Sequence, residues 1–140
     1  LEITSRFELA EVAAPPSILV ADDSMTTRHM ETSVLRALGY GVVQASDGAE
    51  AWGLLQQRGV DLVITDVEMP HMDGLELIRR IRDDDGLART QVVVVSTRSN
   101  EADLEAGFLA GADAYIQKDR FTQRELGATL RGLLSRPQAR

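Results

Sequence analysis

Five short apolar runs recur along the chain, and they constrain its fold more than any other feature of the sequence. The runs are continuous and mostly β-branched, which is typical of strands buried on both faces of a sheet. We predict strands at Ile18–Ala21, Val42–Ala45, Leu62–Thr65, Val92–Val95 and Ala114–Ile116.

Segments with helical spacing separate these runs. Three of them open with a residue that can cap a helix and a glutamate three positions later, at Asp47–Glu50, Asp73–Glu76 and Thr122–Glu125. The first helix has an apolar stripe predicted from Met30, Val34 and Leu38. Because each parallel crossover needs a covering helix, the alternation predicts an α/β fold, an open doubly wound sheet of five parallel strands with five helices.

A length of 140 residues fits a single domain. Residues 1–16 end in Ala-Ala-Pro-Pro and show no sustained period, so we interpret them as a linker or an upstream remnant. The domain itself is predicted over residues 17–135, and residues 136–140 as a short C-terminal tail.

Composition excludes several classes of function. The net charge of −7 and the absence of a cluster of basic residues argue against a nucleic-acid surface. No apolar run approaches the roughly 20 residues of a membrane span, and no signal peptide is recognisable, so we expect a cytoplasmic location and no membrane partner. The chain has no cysteine, which excludes disulfides and thiolate metal sites.

Polar residues stand where four of the predicted strands end. Asp22 and Asp23 follow the first strand, Asp66 the third, Ser96 ends the fourth and Lys118 follows the fifth. Since the carboxyl ends of parallel strands meet at one edge of a sheet, where ligands of such folds bind, we expect these side chains to lie together.

The chemistry of this group favours a phosphoryl site. Three carboxylates at one place repel one another, so a cation should share the site, and an oxygen-only ligand set favours Mg²⁺. Lys118, the single lysine among 15 basic residues, and the Ser96 hydroxyl remain to bind anionic oxygens. Taken alone, Asp22 and Asp23 would more often cap a helix, so only the joint placement supports the site.

Four motifs in this order resemble the receiver domain of two-component response regulators, over roughly residues 17–135. They are LVADDS, LVITDVEMPHMDG, VVVVSTR and DAYIQK. The resemblance implies a flavodoxin-like sheet with strand order 2-1-3-4-5.

The resemblance also implies a metal site around a phosphoacceptor. Asp66 would accept the phosphoryl group, and Asp23 and Asp66 would bind Mg²⁺ directly. Asp22 would bind it through water, and the backbone carbonyl of Glu68 would be a further ligand.

Three further positions would respond to the phosphoryl group. By resemblance, Ser96 would hydrogen-bond it, Lys118 would pair with it, and Tyr115 would move inward when Ser96 is drawn toward it. The fourth helix, fifth strand and fifth helix would then form the face that binds a downstream protein.

The chain departs from the family pattern at a few positions. Asp119 follows Lys118 where proline is usual, so we expect an all-trans loop with a more acidic surface. Thr97 stands where a small residue usually follows the hydroxyl position, and Arg98 comes next. Glu68 adds a carboxylate near the path of an attacking water. We hypothesise that Glu68, Thr97 and Arg98 tune the lifetime of the phosphoryl group.

We predict a phosphoacceptor switch that a histidine kinase phosphorylates, rather than a stand-alone enzyme. The segments DDSMTTR and KDRFTQREL resemble receivers fused to the C-terminus of chemotaxis-type histidine kinases, including those of gliding motility. This resemblance implies that the kinase belongs to the same polypeptide. The alternative is a phosphorylation-independent interaction module that regulates a fused kinase. An Mg²⁺-dependent phosphohydrolase is disfavoured, because no residue remains to act as general acid or base.

Overall fold

The computed structural model describes residues 15–118 and 123–135. Strands and helices alternate through the described residues, as the sequence predicts. Their bounds are β1 Ser17–Ala21, α1 Met25–Ala37, β2 Gly41–Ala45, α2 Gly48–Gln57, β3 Leu62–Thr65, α3 Gly74–Asp83, β4 Gln91–Ser96, α4 Glu101–Ala110, β5 Ala114–Gln117 and α5 Gln123–Leu134. No helix within the described residues is long and apolar enough to cross a bilayer.

All five strands pair in parallel, in the order β2-β1-β3-β4-β5. This is the flavodoxin-like, doubly wound arrangement, and each predicted strand agrees with an observed one to within a residue at either end. The strand order reverses between β1 and β3, which is where such sheets bind their ligands.

Two apolar layers cover the sheet. Alternate strand residues such as Leu19, Val63 and Val94 face one layer, which also contains buried residues of α2, α3 and α4. Ile18, Ile64 and Val93 face the other layer, which contains Leu35 of α1 and the buried leucines of α5. Burial on both faces explains why the strands are continuous apolar runs.

Two of the predicted helix caps form. Asp47 accepts a hydrogen bond from the Glu50 backbone N–H at 2.8 Å, and Asp73 accepts one from Glu76 at 2.8 Å. The predicted cap at Thr122 lies outside the described residues. So do residues 1–14 of the predicted linker 1–16, the predicted loop at Asp119 and the tail at 136–140.

The predicted apolar stripe of the first helix is partly wrong. Met30 is exposed, whereas Glu31, Thr32 and Leu35 form the buried face of α1, with Val34 half-buried. The helix is therefore rotated relative to its apolar pattern, because tertiary packing determines which residues face inward and here buries an acid.

Candidate functional site at the carboxyl edge of the sheet

The predicted site residues do meet at one edge of the sheet. Ala21 of β1 pairs with Thr65 of β3, and the Asp66 N–H donates to the Ala21 carbonyl at 3.0 Å. This register places Asp22 and Asp66 side by side at the ends of their strands. Ser96 ends β4, and Lys118 follows β5 directly.

Three carboxylates form a compact oxygen cluster. Asp22, Asp23 and Asp66 each offer one oxygen, and these oxygens lie within 4.8 Å of one another. Asp22 is buried, Asp66 half-buried and Asp23 exposed, so the cluster is open to solvent on one side. A set of hard oxygen donors with an open side fits a divalent cation that keeps some of its waters.

The Lys118 ammonium joins two of these carboxylates. Its Nζ lies 2.8 Å from Asp66 Oδ2 and 2.9 Å from Asp22 Oδ2. The first contact is a hydrogen bond, whereas the second is an ion pair without hydrogen-bond geometry. Burial alone would lower the pKa of Lys118, but the close contacts with the Asp66 and Asp22 carboxylates outweigh it and raise that pKa.

The loop after β3 holds Asp66 from the other side. The Val67 N–H donates to Asp66 Oδ1 at 2.7 Å, and the Gly74 N–H donates to the Val67 carbonyl at 2.8 Å. A Cβ at position 74 would lie only 1.9 Å from the Asp66 carbonyl oxygen. Only glycine therefore lets α3 begin this close to the acceptor.

A histidine anchors the same loop to α2. His71 adopts a φ of +69°, and its Nδ1 lies 2.9 Å from Oδ2 of Asp47, the residue that caps α2. The backbone hydrogen bond from Glu50 and the contact with His71 lower the pKa of Asp47.

Ser96 and Tyr115 are linked through the backbone of Arg98. Ser96 is buried, and its Oγ accepts the Arg98 N–H at 3.1 Å, while the Tyr115 hydroxyl donates to the Arg98 carbonyl. Burial raises the pKa of Tyr115, and the neighbouring Ser96 hydroxyl partly offsets this. A serine hydroxyl that accepts one hydrogen bond can still donate its proton to a second group.

Two of the three predicted tuning residues meet across a cleft. Arg98 Nη1 lies 3.5 Å from Glu68 Oε1, and Arg98 Nε lies 3.6 Å from Asp103 Oδ1. Thr97 is exposed beside them. The cleft holds about 470 Å³ and is lined by Asp23, Val67, Glu68, Met69, Asp73, Leu75 and Arg98.

Sequence reasoning missed one acid behind the site. Glu31 of α1 is 1% exposed, and neither its Oε2 nor the Thr32 hydroxyl has a hydrogen-bond partner among the described residues. Burial, followed by the negative charge of Asp22, raises the pKa of Glu31 to about 8, while Lys118 opposes the shift. Its spacing of four residues from Leu35 is the signal that could have placed it on the inner face.

A family model for the response regulator receiver domain matches residues 18–131. The gliding motility regulatory protein of Myxococcus xanthus is 41% identical over 101 residues, which are 72% of this chain and 13% of that protein. The chain spans about half the length of the other curated relatives that it matches.

Solved structures give the same picture. Chemotaxis protein CheY4 of Vibrio cholerae superposes with a TM-score of 0.81 and 31% identity, covering 86% of this chain and 100% of that chain. The receiver domain of the sensor histidine kinase PA1611 of Pseudomonas aeruginosa superposes with a TM-score of 0.82 and 26% identity, covering 88% of this chain and 100% of that chain. That structure has a magnesium ion coordinated in its active site cleft.

Proposed function

The chain belongs to the response regulator receiver domain family, and we propose that it is a phosphoacceptor switch in which Asp66 takes a phosphoryl group from a histidine kinase. One observation carries the proposal: Lys118 bridges Asp66 and Asp22 within a cluster of three carboxylates, and the buried Ser96 ends β4, the strand that pairs with β3. An ammonium and a hydroxyl beside one accessible carboxylate suit an anionic group attached to that carboxylate.

The transfer forms one bond and breaks one. A carboxylate oxygen of Asp66 attacks the phosphorus of a phosphohistidine, the P–N bond breaks, and the imidazole nitrogen leaves with its electron pair. Lys118 then exchanges its contact with Asp66 Oδ2 for a phosphoryl oxygen, and the Ser96 hydroxyl donates a hydrogen bond to another phosphoryl oxygen. Water later hydrolyses the acyl phosphate to the carboxylate and inorganic phosphate.

We propose Mg²⁺ as the cofactor, held by Asp23 and Asp66 directly, by Asp22 through water and by the Glu68 carbonyl. Its chemistry would be to neutralise charge between the acceptor and the incoming group. The fit rests on the three carboxylate oxygens within 4.8 Å and on the open side at Asp23.

The partner-binding face is proposed on α4, β5 and α5. Phe108 and Leu109 of α4 are 47% and 78% exposed, although both are large apolar side chains. A cleft of about 200 Å³ lies on this face, lined by Ser99, Leu104, Tyr115, Gln117 and Glu125. Apolar anchors beside a cleft are typical of protein-binding surfaces.

We further propose that the kinase partner shares the polypeptide of this receiver, at residues preceding the linker 1–16. The support is the likeness to a gliding motility regulatory protein of which the matching segment is a small part, and to the receiver of a sensor histidine kinase. Reading the coding sequence upstream of Leu1 tests this: a kinase core there supports it, and its absence refutes it.

Intact mass spectrometry tests the switch. Wild type, Asp66→Asn and the exposed control Asp85→Asn are incubated with Mg²⁺ and acetyl phosphate. We expect an adduct of one phosphoryl group in wild type and in Asp85→Asn, and none in Asp66→Asn.

Two other outcomes would identify the competing functions. Tyr115 already bonds to the Arg98 carbonyl, which is the observation favouring a phosphorylation-independent module; the absence of any adduct in wild type would establish that reading. Release of phosphate from the donor by Asp66→Asn at the wild-type rate would indicate a hydrolase.

A further inference from the structure

Gly107 lies in the interior of α4, where glycine is otherwise unfavourable. It is buried, and its φ is not positive, so the backbone does not require glycine there. Glycine inside a helix is less stable than alanine because it loses more conformational freedom on folding. We therefore ask whether a side chain at position 107 would have room.

The space is occupied by Tyr115. A Cβ at position 107 would lie 3.0 Å from both Cδ2 and Cε2 of the Tyr115 ring. By contrast, a Cβ at Gly53 in α2 would meet no atom within 4 Å. The ring thus rests directly against the backbone of α4.

The ring position matters because of what its hydroxyl holds. The Tyr115 hydroxyl donates to the Arg98 carbonyl, and the Arg98 N–H donates to Ser96 Oγ at 3.1 Å. One peptide segment therefore connects the tyrosine to the hydroxyl of Ser96, at the same edge of the sheet as Asp66. A cavity of about 190 Å³ could accept the Tyr115 ring if the ring were displaced. It is lined by Val67, Leu75, Arg98, Asp103, Ala106 and Tyr115.

We propose that Gly107 is a positioning residue that seats the Tyr115 ring against α4 and thereby fixes the Arg98 backbone and the Ser96 hydroxyl. The consequence for phosphorylation rests on the proposed function above, whereas the seating itself does not. A side chain at position 107 moves the ring, weakens its bond to Arg98 and leaves Ser96 less well placed toward Asp66.

The test is a double-mutant cycle with Gly107→Ala, Tyr115→Ala and both together, and with Gly53→Ala as the matched helix control. Gly53→Ala should raise the urea midpoint, because alanine stabilises an uncrowded helix. Gly107→Ala should lower the midpoint in the presence of Tyr115 and raise it in the Tyr115→Ala background. Exchange of the Arg98 amide hydrogen should become faster in Gly107→Ala and in Tyr115→Ala, and adding Gly107→Ala to Tyr115→Ala should change it no further.

The second readout is phosphorylation by acetyl phosphate with Mg²⁺. Gly107→Ala should lower the maximal rate about fivefold or more, the lower end of what overpacking costs, without changing the half-saturating donor concentration. In the Tyr115→Ala background the same substitution should leave the rate unchanged.

An equal effect of Gly107→Ala in both backgrounds would overturn the proposal, as would behaviour like Gly53→Ala. A wild type that takes no phosphoryl group would instead overturn the proposed function. In that case the urea cycle and the Arg98 exchange rate still decide whether Gly107 seats Tyr115.

Discussion

At the scale of the residue, the site depends on charges held at short range. Lys118 contacts two carboxylates and therefore balances part of the negative charge of the cluster. Glu31 is buried behind the cluster, its Oε2 has no hydrogen-bond partner within residues 15–118 and 123–135, and its raised pKa favours the protonated form. The protein thus neutralises one set of acids by pairing and another by protonation.

Glu31→Gln should stabilise the protein as the pH rises. The pKa of Glu31 is raised from 4.5 to about 8. The contribution of protonated Glu31 to the free energy of unfolding is therefore fully present below about pH 4.5 and is lost as the pH rises through about 8. The free energy of unfolding of Glu31→Gln should exceed that of wild type by roughly 2 kcal/mol or more at pH 8, and should approach it at pH 4.5. Urea unfolding across this range measures the difference.

Glu105→Gln is the matched control, because Glu105 is exposed on α4. It should follow wild type at every pH. If the difference in free energy of unfolding between Glu31→Gln and wild type did not change with pH, Glu31 would not be a buried acid that is protonated in the folded state.

Arg98→Ala and Glu68→Ala should each shorten the lifetime of the phosphoryl group. Their side chains meet at 3.5 Å over the cleft, so removing either opens a path for water. Because exposed ion pairs are weak, the acceleration should not exceed about fivefold. Loss of the phosphoryl adduct over time, measured by intact mass, checks this, and an unchanged lifetime in both variants would refute it.

At the scale of the element, the loop between β3 and α3 determines how Asp66 is presented. Gly74 brings α3 against the Asp66 carbonyl, and Asp73 caps that helix. His71 connects the loop to Asp47 at the start of α2. Two helix termini therefore fix one loop, and the loop fixes the acceptor.

Asp47→Ala should destabilise the protein by about 1 kcal/mol at pH 7, since it removes a helix cap. Asp47→Ser keeps a capping oxygen and loses the contact with His71, so it should lie between alanine and wild type. The pKa of Asp47 is lowered from 3.8, so its contribution is present above about pH 3.8 and is lost as the pH falls below that value.

Urea unfolding at pH 7 and at pH 3 measures these differences. The difference in free energy of unfolding between Asp47→Ala and wild type should be smaller at pH 3 than at pH 7. A gap as large at pH 3 as at pH 7 would show that the carboxylate charge contributes nothing.

At the scale of the whole molecule, the site joins strands that are far apart in the chain. β1, β3, β4 and β5 each contribute a polar residue at the same edge, so binding there should stabilise the entire sheet. A ligand that binds only the folded state raises the free energy of unfolding by mass action.

Mg²⁺ should therefore raise the melting temperature, and a chelator should reverse the effect. At a Mg²⁺ concentration 100 times its Kd the gain is about 2.7 kcal/mol. Asp23→Asn should lose most of this gain and should be slightly more stable than wild type without Mg²⁺, because Asp23 is a cluster carboxylate that Lys118 does not contact. Asp85→Asn should respond like wild type, and an equal response from Asp23→Asn would exclude it as a ligand.

The strands and the edge site were predictable because their signals are local. A continuous β-branched run predicts a strand buried on both faces, and a polar residue directly after it must leave the core at the strand's end. Parallel geometry then brings Asp22, Asp66, Ser96 and Lys118 together. The receiver motifs assigned the individual roles, which remain proposals.

The sequence by itself therefore determined the order of the strands and helices and the edge of the sheet at which the polar site residues lie. Only the tertiary structure decided that Glu31 is buried, that His71 reaches Asp47 and that Gly107 makes room for Tyr115. The physical reason is that each of these depends on how a helix or loop is rotated against a partner far away in the chain. The local periodicity of the sequence carries little information about that rotation, whereas the packing of the whole molecule determines it.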